Sequence, residues 1–422
     1  MTDIVEAADS VSADAVGGLA VRPQPLGAFG LPLGYLLIPA GADTEAARAE
    51  LVAGRLPQTW PQRLTAHRHA MAGDRDAALA ALDGSDPVTC YNRFVLDPDS
   101  ADPDSVRATL GEFGVLVDVV LFALGRTDTV PETGGADGEL AAVVLAAQAS
   151  AALDRQDPGL AVQLLDRATE LAAPVGAPFA GVLQGAAAGI CRDAGDPSAV
   201  QRFDRALKLL SDADALKVAR AELHLAVAGM LHEQAAERPE LLASTVPHYH
   251  SALQLIQRED APLLWASGHA DLATAYLTMP MVEASGQLRL GIAAQSLRQA
   301  LTVFTREQHP QRWASVQLNL ANSLVYSPSK HRQDNLVEAV EIYEALLDAR
   351  DRDCDPLGRA RVLANQGNVL AHLGMFDQAK AKLYEARFLF EEHGDTDSVR
   401  AVRGILDEVA RETALARSED PQ

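Results

Sequence analysis

One phrase occurs twice in the carboxy-terminal half of the chain, and this duplication constrains the fold more than any other feature of the sequence. Residues 264–280 read LWASGHADLATAYLTMP, and residues 312–328, 48 positions later, read RWASVQLNLANSLVYSP. The match extends upstream, where ALQLIQRED at 252–260 lies over ALTVFTREQ at 300–308. A fainter third copy occupies 343–374, with an offset of 46 from the second. Self-similarity at a fixed period is typical of stacked repeat units.

Each copy contains two stretches whose apolar residues recur three and four positions apart, which is the period of an amphipathic α-helix. Residues 311–327 and 336–347 form one such pair, and the segment SPSKHRQDN at 327–335 breaks the pattern between them. A single pair of helices leaves its apolar face in water, whereas stacked pairs bury it. The repeats therefore predict an all-α array of antiparallel helical hairpins.

The third copy resembles a tetratricopeptide repeat (TPR). In GNVLAHLGMFDQAKAKLYEA at 367–386, the small residue of the family's first helix falls on Gly367. The family's second-helix packing positions fall on Ala379, Leu383 and Ala386. The segment LTVFTREQHPQRWASVQLNLANSL at 301–324 is similar to the longer bacterial variant of this repeat. The resemblance implies an all-α, right-handed α-solenoid of antiparallel helical hairpins, whose first helices line a concave groove.

Weaker copies lie upstream, where AVQLLDRATEL at 161–171 and AVQRFDRALKL at 199–209 begin 38 positions apart. Both are predicted to be second helices of hairpins, with Ala161, Leu165 and Ala168 and then Ala199, Phe203 and Ala206 in the packing positions. A further hairpin is expected at 63–84, turning at Gly73. Trp265 and Trp313 occupy equivalent positions in two copies, which favours a role in packing between neighbouring hairpins. Stacking of these rings on a ligand is the alternative.

These patterns divide the chain into segments of different character. VRPQPLGAFGLPLGYLLIPAG at 21–41 has no helical period, and we expect an extended arm that packs along the solenoid, with a short strand at 34–39. Its exposed apolar residues are the next candidate binding surface after the groove. A long acidic loop is expected at 86–104, with Asp104 capping a helix at 105–125, and Asp397 or Ser398 is expected to cap a final helix at 397–415. The predicted segments are an irregular Pro/Gly-rich N-terminal arm at 1–58, an N-terminal helical region with the acidic loop at 59–136, degenerate TPR-like hairpins at 137–250, a TPR array with a C-terminal capping helix at 251–415, and a disordered tail at 416–422.

Composition limits the classes of partner. The formal net charge of −22 disfavours nucleic acid and anionic membranes, because both require phosphates to be neutralised by Lys and Arg. Three distant cysteines without a CxxC motif indicate a reducing compartment. The amino terminus, MTDIVEAADSVSADAV, is acidic where a signal peptide is basic, and the most apolar stretch, at 114–125, is too short to span a bilayer. We therefore expect a soluble, cytoplasmic protein.

No known catalytic or cofactor motif occurs in the sequence. GxGxxG after a strand, GxxxxGK[ST], HExxH and GxSxG are all missing, so we expect no enzyme activity and no cofactor. His248 and His250 are two positions apart on a predicted helix and would point in different directions, which argues against a shared metal ion. The acidic DPDSADPDS at 97–105 lacks the Gly and the Glu of a calcium loop.

The TPR resemblance also implies a binding site, in the groove lined by first helices. The family's groove positions that we take as partner-binding are Thr274 in one copy, Ser315, Leu318, Asn322 and Tyr326 in the next, and Arg361, Asn368 and His372 in the third. In the family, Asn at the positions of Asn322 and Asn368 bonds to a peptide backbone; the alternative is that both satisfy groups on neighbouring helices. Only Arg361 matches the family's clamp for a carboxylate terminus.

The architecture favours a non-catalytic scaffold or adaptor that binds a protein or peptide in the concave groove, by family resemblance. A variant of this reading is a subunit that assembles or regulates an enzyme complex. A different class stays open as an alternative, namely an enzyme or a small-molecule-responsive regulator. Its pocket would be enclosed by the N-terminal arm and the helices at 105–210. The sequence indicates no particular oligomeric state.

Overall fold

The structure is a computed structural model, which describes residue 19 and residues 23–279, 285–326, 331–350 and 354–419. All regular secondary structure in these residues is helical, which confirms the expected all-α fold. The α-helices in chain order are α1 Glu45–Val52, α2 Thr65–Met71, α3 Arg75–Ala80, α4 Pro87–Leu96, α5 Pro103–Thr109, α6 Val115–Ala123, α7 Gly138–Asp154, α8 Pro158–Ala172, α9 Ala177–Asp193, α10 Ala199–Leu209, α11 Lys217–Gln234, α12 Leu242–Leu255, α13 Pro262–Thr278, α14 Ser285–Leu301, α15 Pro310–Tyr326, α16 Arg332–Ala349, α17 Pro356–His372, α18 Phe376–Glu392 and α19 Thr396–Glu419.

Local sequence signals explain where the hairpin helices begin. The Asp157 carboxylate accepts a hydrogen bond from the backbone N–H of Leu160 at 2.9 Å, and Pro158 occupies the first position of α8. Asp355 and Pro356 start α17 in the same way. An Asp cap satisfies one of the free N–H groups of the first turn, and Pro has no N–H to lose there.

The α17–α18 hairpin shows why small residues recur in the repeat. The chain turns at Gly374, whose φ of +73° lies in the left-handed region that favours glycine. At Gly367, a Cβ atom would lie only 2.7 Å from Cγ of Leu383 on the facing helix. Ala379, Leu383 and Ala386 are all fully buried. The positions taken from the TPR resemblance are therefore those at which the two helices meet.

The weaker upstream copies have the same organisation. Ala161, Ala168, Ala199 and Ala206 are fully buried, which confirms α8 and α10 as the second helices of hairpins. Trp265 and Trp313, both partly buried, pack against the hydrophobic core of unit 2, which is consistent with a packing role. Near the amino terminus, α2 and α3 pack together across a turn at Gly73, as expected for residues 63–84.

The chain forms two compact units, unit 1 at residues 1–223 and unit 2 at residues 224–422, with the division inside α11. In unit 1, α7–α10 form two antiparallel hairpins that follow six shorter helices. In unit 2, α13–α18 form three hairpins, and α19 packs against α18. Each hairpin helix packs chiefly against the helices before and after it, which is the arrangement of a TPR-like stack. The five segments defined from the sequence stay a prediction.

The N-terminal arm packs against the helices of unit 1, as expected, but its described residues form no strand and most of its apolar side chains are buried. Residues Leu33–Tyr35 form a 3₁₀ turn, and the described residues include no strand. The apolar side chains of the arm lie in the core of unit 1, where Leu26 and Leu36 are fully buried. The apolar residues of the arm, expected to be the next candidate binding surface after the groove, are thus largely inside the protein.

Two further expectations for the amino-terminal region are wrong. The segment at 86–104 contains the helix α4, which Asp86 caps and whose buried face includes Tyr91 and Phe94. Acidic residues had suggested a loop, but Asp-Pro before spaced apolar residues is a helix-start signal. The expected helix at 105–125 is two helices, α5 and α6, separated by a 3₁₀ turn at Gly111–Gly114.

The two predicted capping residues are also displaced. Asp102, instead of Asp104, caps α5 by accepting from the backbone N–H of Ser105 at 3.0 Å. At α19, the Asp395 carboxylate accepts from the backbone N–H of Ser398 at 3.1 Å, so Asp395 replaces Asp397 or Ser398 as the cap. In both helices the capping carboxylate reaches the N–H three residues ahead, which is the geometry a cap requires.

Candidate functional site

The first helices of the unit 2 hairpins lie next to one another, α13 beside α15 and α15 beside α17. Two hydrogen bonds join them directly. Arg312 of α15 donates to Oγ of Ser267 on α13 at 2.9 Å, and Nδ2 of Asn365 on α17 donates to Oδ1 of Asn322 on α15 at 3.2 Å. Residues three or four positions apart on each helix share one side. The surface called the inner face here comprises Ser267, Asp271, Thr274, Ser315, Leu318, Asn319, Asn322, Tyr326, Arg361, Asn365, Asn368 and His372.

Asn322 holds neighbouring helices together. Its Oδ1 atom accepts from the Tyr343 hydroxyl at 2.7 Å as well as from Asn365. Tyr343 belongs to α16, so this one oxygen joins a first helix, its own second helix and the first helix of the next hairpin. Of the two roles considered for this residue, the geometry favours satisfying neighbouring helices over bonding a peptide.

Other predicted groove residues are partly engaged within their own repeat. Thr274 donates its hydroxyl to the carbonyl of Ala270, one turn earlier on α13, at 2.9 Å. Leu318 is partly buried and packs against the core of unit 2. Ser315 is exposed. These three side chains shape the inner face, and Ser315 presents its hydroxyl to solvent.

The remaining predicted residues are accessible. Tyr326 is 69% exposed. Arg361 and His372 are exposed on α17, and Asn368 is half-buried between them. No described residue forms a hydrogen bond with the Asn368 amide. The inner face thus carries an exposed aromatic ring at Tyr326 and a half-buried amide at Asn368.

Sequence reasoning overlooked a row of polar residues on this surface. Asp271, Asn319 and Asn365 occupy equivalent positions in the three copies, at the same offsets of 48 and 46 that reveal the repeat. The Asp271 carboxylate is exposed, yet surrounding protein limits its hydration and raises its pKa to about 6, which Arg312 partly opposes. Applying the offsets to polar as well as apolar positions would have identified this row.

Histidines cluster on α11, α12 and α13 but point at separate partners. The Nε2 atom of His250 lies 3.0 Å from the Tyr276 hydroxyl, and the Nδ1 atoms of His248 and His224 lie 3.1 Å apart. Burial lowers the pKa of His269, which packs edge-on against Trp265, to about 4. Among the residues that the structure describes, no group of three or more His, Cys, Asp or Glu side chains is arranged to hold a metal ion.

Unit 1 carries a different feature, an apolar cavity of about 330 Å³ between the N-terminal arm and the helices α7–α9. Its floor is buried and includes Val143, Ala149 and Phe179, and Tyr35 of the arm forms part of the wall. The cavity lies where the alternative function placed a pocket, between the arm and the helices at 105–210.

A polar trough of about 560 Å³ lies between α8 and α10, with Gln184 of α9 at its floor. Across it, the Arg202 guanidinium pairs with both carboxylate oxygens of Asp166, and the pair raises the pKa of Arg202. Glu139, whose pKa burial raises to about 7, lines neither this trough nor the apolar cavity. Neither site thus combines a cavity with an acid–base group tuned near neutral pH.

Comparisons with known proteins gave matches among solved structures. No family model matches the chain, and no curated protein matches it. Among solved structures, the apo form of RapI is 14% identical with a TM-score of 0.45, covering 83% of this chain and 96% of RapI. A Rap protein complexed with Competence and Sporulation Factor is 12% identical with a TM-score of 0.35, over the same shares of the two chains. No described helix is both long and apolar enough to cross a bilayer.

Proposed function

We propose that this protein is a non-catalytic scaffold that binds an extended segment of a partner protein on the inner face of unit 2. The observation that carries the proposal is the repetition of accessible polar side chains at one register on adjacent helices. Asp271, Asn319 and Asn365 form one row, and Tyr326, Asn368 and His372 continue the surface along the ends of α15 and α17.

The spacing of the helices suits an extended chain. Packed helices lie about 8–10 Å apart, and an extended segment advances about 3.3 Å per residue. Every third residue of such a segment would therefore meet the next helix of the array. The amides of Asn319, Asn365 and Asn368 each offer donors and an acceptor, which match the N–H and C=O groups of a peptide backbone.

The charges of the inner face would orient the segment. Asp271 on α13 presents an exposed carboxylate, whereas α17 presents the exposed guanidinium of Arg361 and the imidazole of His372. Unlike charges across an interface fix its register more than they add affinity. A segment with a basic residue toward α13 and an acidic residue toward α17 fits this distribution best.

The test is a selection of peptides from a random displayed library against the wild-type protein, followed by affinity measurement by fluorescence anisotropy. The double variant Tyr326→Ala/Asn368→Ala is expected to bind the selected peptides at least about tenfold more weakly, a loss of about 1.4 kcal/mol. Tyr is frequent among residues that dominate interfaces, and both side chains lie outside the core.

The matched control is Gln378→Ala/Tyr384→Ala, which removes an amide and an aromatic ring from the exposed surface of the second helix α18. This control is expected to bind as the wild type does, and both double variants should keep the wild-type thermal midpoint. Equal affinity of all three proteins for every selected peptide would overturn the assignment of the inner face.

A further inference from the structure

The apolar cavity of unit 1 has the character of a small-molecule site. Its volume of about 330 Å³ lies at the lower end of the range of about 300–1,000 Å³ that ligand pockets occupy. None of its lining residues is charged, in a chain of which 22% of the residues are charged. Ala149, Leu165 and Leu183 of its floor are at most 4% exposed, so it is a recess into the core and not a flat patch.

The arm that walls the cavity is firmly held. The backbone N–H of Gln24 donates to both carboxylate oxygens of Glu139, at 2.8 and 3.0 Å. The Asn92 amide bonds to both the N–H and the C=O of Leu37, at 2.7 Å each. At Gly27, a Cβ atom would lie 2.6 Å from the Phe179 ring, so the arm backbone lies directly on α9. A wall built in this way is formed before any ligand arrives.

The lining indicates the chemistry of the ligand. A charged molecule would lose its hydration in the cavity without a counter-ion, which disfavours ions strongly. Two hydroxyls, those of Tyr35 and Ser150, border the space, and neither forms a hydrogen bond with any described residue. We propose that unit 1 binds a neutral, largely apolar small molecule, with one or two hydrogen-bonding groups, between the N-terminal arm and the helices α7 and α9.

This site is separate from the peptide-binding surface proposed for unit 2, and its ligand would act on the arm. A molecule in contact with Tyr35 and with α9 binds the folded unit and not the unfolded chain, so it stabilises unit 1 by mass action. The protein would then respond to a small molecule in one unit while its partner site lies in the other.

The test uses N-phenyl-1-naphthylamine, a neutral apolar fluorophore with a single N–H donor. Its emission is expected to rise and saturate as wild-type protein is added. The anionic analogue 8-anilinonaphthalene-1-sulfonate has the same rings and is expected to bind at least tenfold more weakly. Absence of saturable binding by the neutral dye, or tighter binding of the anionic one, would overturn the proposal.

Variants assign the binding to the cavity. Ala146→Phe and Ala186→Phe place a ring into the space from accessible positions on α7 and α9, and each is expected to weaken dye binding at least tenfold. The control Ala381→Phe adds the same ring at an exposed position of α18 and should bind as the wild type does. If a Phe variant loses helicity by circular dichroism, Ala186→Leu replaces it, with a threefold or greater loss expected.

Unchanged dye affinity in the folded cavity variants would contradict the proposal. A second contradicting outcome is that an apolar helical peptide displaces the dye whereas no neutral small molecule does. The natural occupant of the cavity would then be a protein helix. The variant Tyr326→Ala/Asn368→Ala should keep full dye binding. Failure of the inner-face experiment therefore leaves this one unaffected, and the reverse also holds.

Discussion

The two units use the same hairpin architecture but present different surfaces on their first helices. In unit 1, the cavity side of α7 carries Val143, Ala146 and Leu153, and the charged residues lie elsewhere. In unit 2, the inner face of α17 carries Arg361, Asn365, Asn368 and His372. Helix pairing depends on buried small residues, so the exposed face is free to diverge, and one architecture can offer an apolar recess and a polar surface.

The units also differ in what holds them together. Unit 2 is assembled by repeated contacts between neighbouring hairpins, such as the close approach at Gly367. Unit 1 adds buried hydrogen bonds from distant side chains, Asn92 and Glu139, to the backbone of an arm that has no repeat of its own. Unit 1 should therefore be sensitive to single polar substitutions, whereas unit 2 should be sensitive to changes of volume.

The largest effect is expected from Asn92→Ala in unit 1. The substitution leaves the buried N–H of Leu37 without a partner, which costs about 1–3 kcal/mol, and removes one of the two side chains that bond to its carbonyl. We expect unit 1 to lose about 3 kcal/mol in urea unfolding followed by circular dichroism. Asn365→Ala is the matched control, since that amide makes one accessible bond of 3.2 Å. Equal losses for both variants would contradict the difference between the units.

Glu139 should make unit 1 dependent on pH. Burial raises the pKa of its carboxyl from 4.5 to about 7, so the folded state binds the proton more tightly than the unfolded chain does. The contribution of Glu139 to the free energy of unfolding is then greatest below about pH 4.5 and falls by about 3 kcal/mol as the pH rises from there through 7. The Glu139→Gln variant should lack this decrease. Parallel pH profiles of unfolding for the two proteins would show that Glu139 does not cause it.

Gly367→Ala tests the close packing of unit 2. The added Cβ meets Leu383 at 2.7 Å, and we expect a loss of about 1–3 kcal/mol in urea unfolding from overpacking. The control Gly404→Ala lies on α19, where a Cβ meets nothing within 4 Å. There the change should stabilise by up to about 1 kcal/mol, because Ala favours a helix over Gly. If both substitutions changed the free energy of unfolding in the same direction, the assigned contact between α17 and α18 would be ruled out.

The smallest effect is expected from Asn322→Ala, which breaks the bonds to Tyr343 and Asn365 on the inner face. A partly accessible hydrogen bond contributes about 0.5–1.5 kcal/mol, so the loss of the two bonds should destabilise unit 2 by about 1–2 kcal/mol. Peptide affinity should fall less than in the Tyr326→Ala/Asn368→Ala variant, because Asn322 positions helices. If the variant lost all peptide affinity while its stability stayed unchanged, Asn322 would be a direct contact to the partner.

Some structural features follow directly from patterns along the chain. The offsets of 48 and 46, and the alanines at 161, 168, 379 and 386, predicted the helical hairpins, because neighbouring repeats meet at equivalent positions. The helix α4 was also predictable, since Asp86 and Pro87 precede spaced apolar residues, but the acidic residues downstream drew the assignment to a loop. A periodic pattern that runs over many residues still predicts a helix when single residues deviate from it. The prediction of a short helix depends on a few residues at its start.

The sequence by itself determined the all-α fold class and the pairing of helices into hairpins, because these depend on local periodicity. Only the tertiary structure decided that the arm is buried, since its partners Asn92 and Glu139 stand 55 and 115 positions away. It also decided that Asn322 is bonded to Asn365, 43 positions on. Long-range hydrogen bonds leave no periodic trace in a sequence, because each depends on where two distant segments meet after folding.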